Sequence, residues 1–208
     1  MTDFNSSAGV MKGHYFHQDL LVASLIFADN PTRHIDIGSR VDGFVAHVAS
    51  FRPIEILDIR DLPSSVHENI IFTQADLTQN IDLGVVDSIS CLHALEHFGL
   101  GRYGDMIDPE GHLKGLRNLV DALSPRGKLY VSFPISNSPR VEFNAHRVFT
   151  PDWILGRPEV TDNLDMVRFD FVDDKGDLHT NKKPCDAISS ELKYGCGIYT
   201  FEKSKMFK

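Results

Sequence analysis

Cysteine is scarce in this chain: Cys91, Cys185 and Cys196 are its 3 thiols in 208 residues. They form no C-x-x-C pair, and any disulfide scheme leaves one over, so a reduced cytoplasmic setting is expected. Basic residues are also few, 21 Lys and Arg against 29 Asp and Glu, for a formal net charge of -8. A binder that works by displacing counterions from phosphates needs a basic face, so nucleic acid is not expected as a partner. The same balance argues against a polybasic membrane anchor. No apolar run approaches the roughly 20 residues that span a bilayer. The longest, Leu20 to Ala28, is short and interrupted by Ser24. The start, Met1 to Val10, is polar and lacks the basic residues and apolar stretch of a secretory leader. With 15 Gly and 10 Pro the chain is not low-complexity, and no repeat or Pro/Ser-rich linker divides it.

What is present is ordinary for a globular domain: 42% hydrophobic and 24% charged residues. The length suits one domain over 1–208 with a core that needs no staples. Residues 14–28 carry a helical apolar stripe (Phe16, Leu20, Ala23, Ile26, Phe27) that ends before Asn30-Pro31, a leading helix. Short apolar runs then alternate with helical or loop segments. Strands are predicted at 34–37, 54–59, 70–73, 85–92 and 128–133, and helices over 41–51 and 109–123. The connection 60–69 is short for a parallel crossover and admits a turn or two of helix. Two late strands, 166–172 and 197–202, flank a charged stretch, 173–183, read as an exposed hairpin or loop. The expected fold is a Rossmann-like three-layer α/β/α sandwich, with a mostly parallel seven-stranded sheet and an antiparallel last strand. Its cofactor half is 34–92 and its acceptor half 93–208.

Ligands of such sheets bind outside the carboxyl ends of the strands. Those ends read Asp36-Ile37-Gly38-Ser39-Arg40, Asp58-Ile59-Arg60, Ala75-Asp76-Leu77 and His93-Ala94-Leu95-Glu96-His97. Asp58 follows the glycine turn by about 20 positions, the spacing of an acid that binds ribose hydroxyls. Each Asp alone is as readily a cap or turn former. Three in order, after three successive strands, suit a ligand with hydroxyls and an amine.

These residues resemble the class I S-adenosylmethionine-dependent methyltransferases from about His34 onward. The resemblance is carried by Asp36-Ile37-Gly38, by Asp58, by Ala75-Asp76-Leu77, by the run Asp87 to His97, and by the turn Leu123-Ser124-Pro125-Arg126-Gly127 before strand five. More narrowly, 36–51 and 142–153 resemble a bacterial and nematode family known as domain of unknown function 268. The resemblance implies S-adenosylmethionine as cofactor, with Asp36, Gly38, Ser39, Asp58, Ile59, Asp76, Leu77 and Leu92 around it. Gly38 would admit the methionine portion, Asp58 the ribose, and Asp76 with Leu77 the adenine. One departure stands out: the family continues Gly-x-Gly, and Arg40 occupies the second glycine. Either the turn differs or the guanidinium reaches a carboxylate.

His93, Glu96 and His97 also spell H-x-x-E-H, the inverted zincin pattern, which requires a helix where a buried strand is predicted. Methyltransferases that act on hydroxyls, among them small-RNA 2'-O-methyltransferases, have a similar Glu-His and use a divalent ion. His93, Glu96, His97 and His146 would be its ligands here. The alternative adopted is a metal-free general base, His97 or His146, with Glu96 in support. His93, Arg102, Tyr103, Asn144 and Arg147 are the candidate acceptor contacts. Arg102, Tyr103 and Asp105 between glycines suggest a flap, and His14, Tyr15, His17 and Gln18 could close over the cofactor. The expectation is a methyltransferase acting on a small polar acceptor such as a sugar or nucleotide sugar in surface-glycan synthesis, with a homodimer as a possible assembly. The rival is a non-methylating Rossmann-like binding protein in which Arg40 has remade the cofactor turn. A metallopeptidase stands third.

Overall fold

The computed structural model describes residues 9–63, 67–79 and 81–204 of the chain. Most of the polar start, Met1 to Val10, lies outside the described residues. The leading helix, α1, spans His14–Asp29 and buries Gln18, Asp19, Val22, Ala23 and Ile26 at helical spacing. It stops where Asn30 turns left-handed (φ 44°), its N–H donating to the Ile26 carbonyl, ahead of Pro31. Strand β1, His34–Ile37, is followed by a wide turn at Val41–Val45 and by α2, Ala46–Ala49. Strands β2 (Ile54–Asp58), β3 (Ile70–Gln74) and β4 (Val86–Leu92) come next, and a single helical turn at Leu95–His97 precedes α3, Gly111–Ala122. The chain continues through β5 (Leu123–Ile135), the small hairpin β6 (Arg140–Glu142) and β7 (His146–Val148), a turn at Trp153–Gly156, and α4 (Pro158–Thr161). It ends with β8 (Leu164–Val172), β9 (Leu178–His179), α5 (Pro184–Ser189) and β10 (Gly195–Lys203).

The sheet runs β3-β2-β1-β4-β5-β10-β8-β9. The first five strands are parallel, and β10 inserts antiparallel between β5 and β8. This is the expected sheet, with the two-residue β9 as an eighth strand where the charged stretch folds back onto β8. Strand order reverses between β1 and β4, so the crevice of an open sheet falls between Gly38 and His93.

Alternation along the strands assigns the two faces. Ile54 and Ile56 join Val22, Ile26, Phe44 and Val48 beneath α1 and α2. Ile35, Ile37, Ile89 and Phe133 join Leu116 and Leu119 of α3 on the opposite face. By the same alternation His34 and Asp36 turn toward the first face. There His34 sits between Ser88 and Ser90 hydroxyls, at 2.7 and 3.1 Å, and burial lowers its pKa to about 3.

Two expectations change. No helix forms in the described parts of the 60–69 connection, and its residues 64–66 lie outside the described chain. Strand β5 begins at Leu123 rather than Lys128, because the Ser-Pro-Arg-Gly turn is looped out: Val86 pairs with Leu123 and Ser88 already with Lys128.

Candidate active site

A cavity of about 300 Å³ lies over the ends of β1, β2 and β4, lined among others by Gly38, Arg40, Asp58, Ile59, Asp76, Leu77 and Leu92. That is the small end of the range for cofactor sites. At its floor the chain turns at Gly38 with φ +70°, and a Cβ there would lie 3.0 Å from the Ala94 Cβ. Glycine is favoured on both counts, backbone and space. Asp36 supports this turn and does not line the cavity. It is fully buried, its carboxylate accepting the Ser39 N–H and hydroxyl at 3.1 and 2.7 Å and the Ser90 hydroxyl at 2.5 Å. Burial, against those hydrogen bonds, pushes its pKa up to about 7. Ser39 is likewise buried beneath the turn, away from this cavity. Placing Asp36 and Ser39 at the cofactor is therefore corrected: both hold the turn from below.

Asp58 does face the cavity, and its carboxylate already has a partner. Arg60 donates to it from the backbone at 2.8 Å, from Nε at 2.9 Å and from Nη2 at 2.5 Å. The Arg60 guanidinium also lies 4.6 Å from the centre of the Tyr103 ring, joining the β2 end to the 99–105 loop. Sequence reasoning missed Arg60: its pairing with Asp58 two residues away gives no signal of its own in the strand-end motif, and its contact with Tyr103 comes from another segment. The loop is gathered by Asp105, which accepts the N–H groups of Gly99, Gly101 and Tyr103 at 2.8, 3.1 and 3.2 Å. Asp76 forms an Asx turn, its Oδ1 accepting the Thr78 N–H and hydroxyl at 2.9 and 2.7 Å. Arg40 stands at the cavity mouth, paired with Asp42 at 3.0 Å and 5.5 Å from the Tyr15 ring centre.

A second cavity, of about 320 Å³, is lined by His14, Tyr15, His93, Glu96, His97, Arg102, Tyr103, His146 and Tyr194. Tyr15, His93, His97 and Tyr103 line both cavities. Glu96, 1% exposed, accepts from His93 Nδ1 at 2.9 Å and lies 3.7 Å from His97 Nε2, and its second oxygen has no partner. His97 Nδ1 lies 2.6 Å from the Ala145 carbonyl, which can only accept, so Nδ1 carries the proton and the Nε2 lone pair is free. Burial pushes the His93 pKa down, but Cys196 and Glu96 more than offset it and leave the group well above its ordinary value. His146 Nε2 lies 3.3 Å from the Tyr194 hydroxyl and 3.5 Å from Glu142, and partial burial lowers its pKa.

Other residues fall elsewhere. Arg147 is buried and donates to the carbonyls of Phe98, Glu96 and Pro109 at 2.7, 3.3 and 3.4 Å, a tie between loops that lines neither cavity. Asn144 is exposed at the hairpin tip and also lines neither. Both are withdrawn as acceptor contacts, and Tyr194 is added. The zincin geometry is absent: His93 has φ +49°, and the single turn Leu95–His97 cannot present two histidines from one helix face. The expected set His93, Glu96, His97 and His146 does not converge either. Among the described residues, the ligand atoms that lie within 4.8 Å of one another belong to His14, His93 and Cys196.

A family model described as "Caenorhabditis protein of unknown function, DUF268" matches residues 55–154. The span includes the 142–153 resemblance and excludes that at 36–51. No curated protein matches the chain in sequence. Among solved structures, the N-methyltransferase NodS from Bradyrhizobium japonicum WM9, in complex with S-adenosylhomocysteine, is 12% identical, with TM-score 0.59 over 93% of this chain and 89% of that one. The O-methyltransferase of a trans-AT PKS multienzyme of Brevibacillus brevis, also with S-adenosylhomocysteine, is 12% identical, with TM-score 0.62 over 90% of this chain and 72% of that one. The [4+2]-cyclase SpnF superposes equally well, 14% identical with TM-score 0.59 over 90% and 82%. The chain has the fold of the class I S-adenosylmethionine-dependent methyltransferases and, over 55–154, the sequence pattern of the DUF268 family.

Proposed function

We propose that the chain is a methyltransferase that moves the methyl group of S-adenosylmethionine to a hydroxyl of a small polar acceptor, a sugar or nucleotide sugar of surface-glycan synthesis. The observation that carries this reading is the wall shared by the two cavities, at Tyr15, His93, His97 and Tyr103. A cofactor in the first and an acceptor in the second would meet beside one imidazole.

The residues around the first cavity fit the cofactor. Gly38 presents bare backbone where even a Cβ would crowd Ala94. Asp58 offers a carboxylate to ribose hydroxyls, Ile59 and Leu77 offer apolar surface to adenine, and Arg40 at the mouth offers a guanidinium to the methionine carboxylate. Bound there, S-adenosylmethionine supplies an electrophilic methyl group. The chain's own contribution is alignment and removal of the acceptor proton. His97 suits the second task, since Ala145 fixes its tautomer and leaves Nε2 to take the proton. Glu96 at 3.7 Å then stabilises the imidazolium formed. Arg102, His146 and Tyr194 give the acceptor side of the cavity hydrogen-bonding groups. Free Cys91, Cys185 and Cys196, none of them paired, support a cytoplasmic setting.

The rival, a non-methylating binding protein, is favoured by one observation: Arg60 already occupies Asp58. The [4+2]-cyclase SpnF illustrates that this fold serves other chemistry. Thermal-shift titration of the full chain with S-adenosylhomocysteine, NAD and ATP separates the readings. Stabilisation by S-adenosylhomocysteine alone is expected, and stabilisation by NAD or ATP in its place overturns the assignment. Release of S-adenosylhomocysteine from S-adenosylmethionine, followed across a panel of sugars and nucleotide sugars, then tests the acceptor class. Turnover with an amine or thiol acceptor but with none of the sugars refutes the hydroxyl assignment.

A further inference from the structure

His14, His93 and Cys196 come from the first residue of α1, the end of β4 and the start of β10, and none of these is needed by the proton transfer just described. Yet their ligand atoms converge within 4.8 Å. Sheet topology produces the meeting. Strand β10 inserts beside β5 with Cys196 opposite Pro134, and β5 in turn pairs with β4 just before His93. Cys196 and the Val22 and Ile26 side chains of α1 belong to one buried cluster, so the helix lies over the thiol.

The polar groups around this point are arranged as an ion-binding shell is. His93 is 92% buried, its residue retaining 8% exposure, and its Nε2 is a buried nitrogen with no hydrogen-bond partner. Its Nδ1 is held by the Glu96 carboxylate at 2.9 Å, which leaves Nε2 as the nitrogen offered to a ligand. A carboxylate on the far nitrogen of a ligating imidazole is the usual outer partner in zinc sites, where it fixes the tautomer and strengthens the ligand. His14 is oriented in a similar way, one ring nitrogen donating to the Tyr194 carbonyl. The third group, Cys196, is fully buried, and its contacts with Gln18 Oε1 at 3.9 Å and the Gly197 carbonyl at 3.7 Å are both weak sulfur contacts.

We propose that His14, His93 and Cys196 bind one zinc ion, with Glu96 and Tyr194 as outer partners and the fourth position open to the second cavity, which His14 and His93 line. One thiolate and two imidazoles select zinc over the oxygen-seeking magnesium and calcium. The charges balance: the dication meets the Cys196 thiolate directly and the Glu96 carboxylate through His93. Uptake releases the thiol proton and any proton on His93 Nε2 to solvent. Zinc–ligand bonds of about 2.0–2.3 Å place tetrahedral ligand atoms roughly 3.3–3.8 Å apart. The cluster closes onto an ion by turning the His14 ring, which now stacks on His93 at 5.3 Å between centres. An oxygen bound at the open position becomes more acidic. In this cavity the proton would pass to His97 Nε2, a role that rests on the methyltransferase reading, whereas zinc binding itself does not.

The test is titration of the metal-free full chain with cobalt(II), the spectroscopic substitute for zinc. The expected result is one equivalent bound with a thiolate-to-cobalt absorption band, displaced by zinc and absent in Cys196→Ser but kept in Cys185→Ser. His14→Phe, at a partly exposed helix start, should retain the fold by circular dichroism and bind at least tenfold more weakly. Glu96→Gln should weaken binding about 10- to 100-fold. Absence of stoichiometric binding to the folded wild type overturns the proposal. So does a thiolate band that survives in Cys196→Ser, or an affinity unchanged by His14→Phe. S-adenosylhomocysteine binding is measured without metal, so failure of either proposal is seen separately.

Discussion

Arg60 grips Asp58 with both its Nε and Nη2, at 2.9 and 2.5 Å, while its guanidinium lies against the face of Tyr103. The acid placed for ribose hydroxyls thus has an internal competitor, and that competitor is tied to the loop over the cavity. Ligand entry must loosen a partly exposed ion pair, an interaction worth about 0.2–1 kcal/mol in solution. Arg60→Ala should therefore tighten S-adenosylhomocysteine binding by about 1.4- to fivefold. Weaker binding in that variant, measured by calorimetry, would mean that Arg60 contacts the ligand itself.

Gly38→Ala should destabilise the chain by about 1–2 kcal/mol, because a left-handed backbone is unfavourable for a side-chain-bearing residue. The Ala94 Cβ at 3.0 Å adds to that strain. Denaturant unfolding measures it, and a variant as stable as wild type contradicts the assigned turn.

His97→Gln should reduce methyl transfer about a hundred- to ten-thousand-fold, the range for loss of a general base. Cofactor affinity should change little. Equal loss of affinity and turnover would assign His97 to binding.

Asp36 gives a pH signature. Its pKa rises from 3.8 to about 7 on folding, so between these values the folded chain holds a proton that the unfolded chain has lost. Stability from this group is present at low pH and falls as pH rises through that window, by up to about 1.4 kcal/mol per unit. Asp36→Asn removes the titration, so its stability relative to wild type should rise between pH 5 and 7. A difference independent of pH contradicts the burial of a titrating carboxyl.

Arg147→Ala should cost about 2–3 kcal/mol, since it leaves the carbonyls of Glu96, Phe98 and Pro109 without their charged donor. Urea unfolding reads this directly. A near-neutral effect would show that water replaces the guanidinium.

Much of this architecture is legible in the sequence, because strand ends are local signals. Apolar runs stopped by Gly38, by Asp58 and by His93 place the cavity without any knowledge of tertiary contacts. What fails is what depends on which way a residue turns. In the hairpin, Val141 pairs with Arg147 and Glu142 with His146, so His146 and Arg147 point to opposite sides. His146 reaches the cavity and Arg147 goes inward, though the two are adjacent and both are candidate site residues in sequence. Asp36 sits on a buried strand, and alternation turns it to the face opposite Ile37, which lines the cavity together with Gly38 in the turn beyond the strand. Cys196 is beyond reach of local reasoning: it approaches His14 only because β10 doubles back antiparallel.

The central claim is a cofactor site built on Gly38 and Asp58. Calorimetric titration of the full chain with S-adenosylhomocysteine, wild type beside Gly38→Arg and Asp58→Ala, tests it most directly. One site is expected in the wild type, with at least tenfold weaker binding in Asp58→Ala and none in the folded Gly38→Arg chain. Undetectable binding to the wild type, or wild-type affinity in Gly38→Arg, would contradict it.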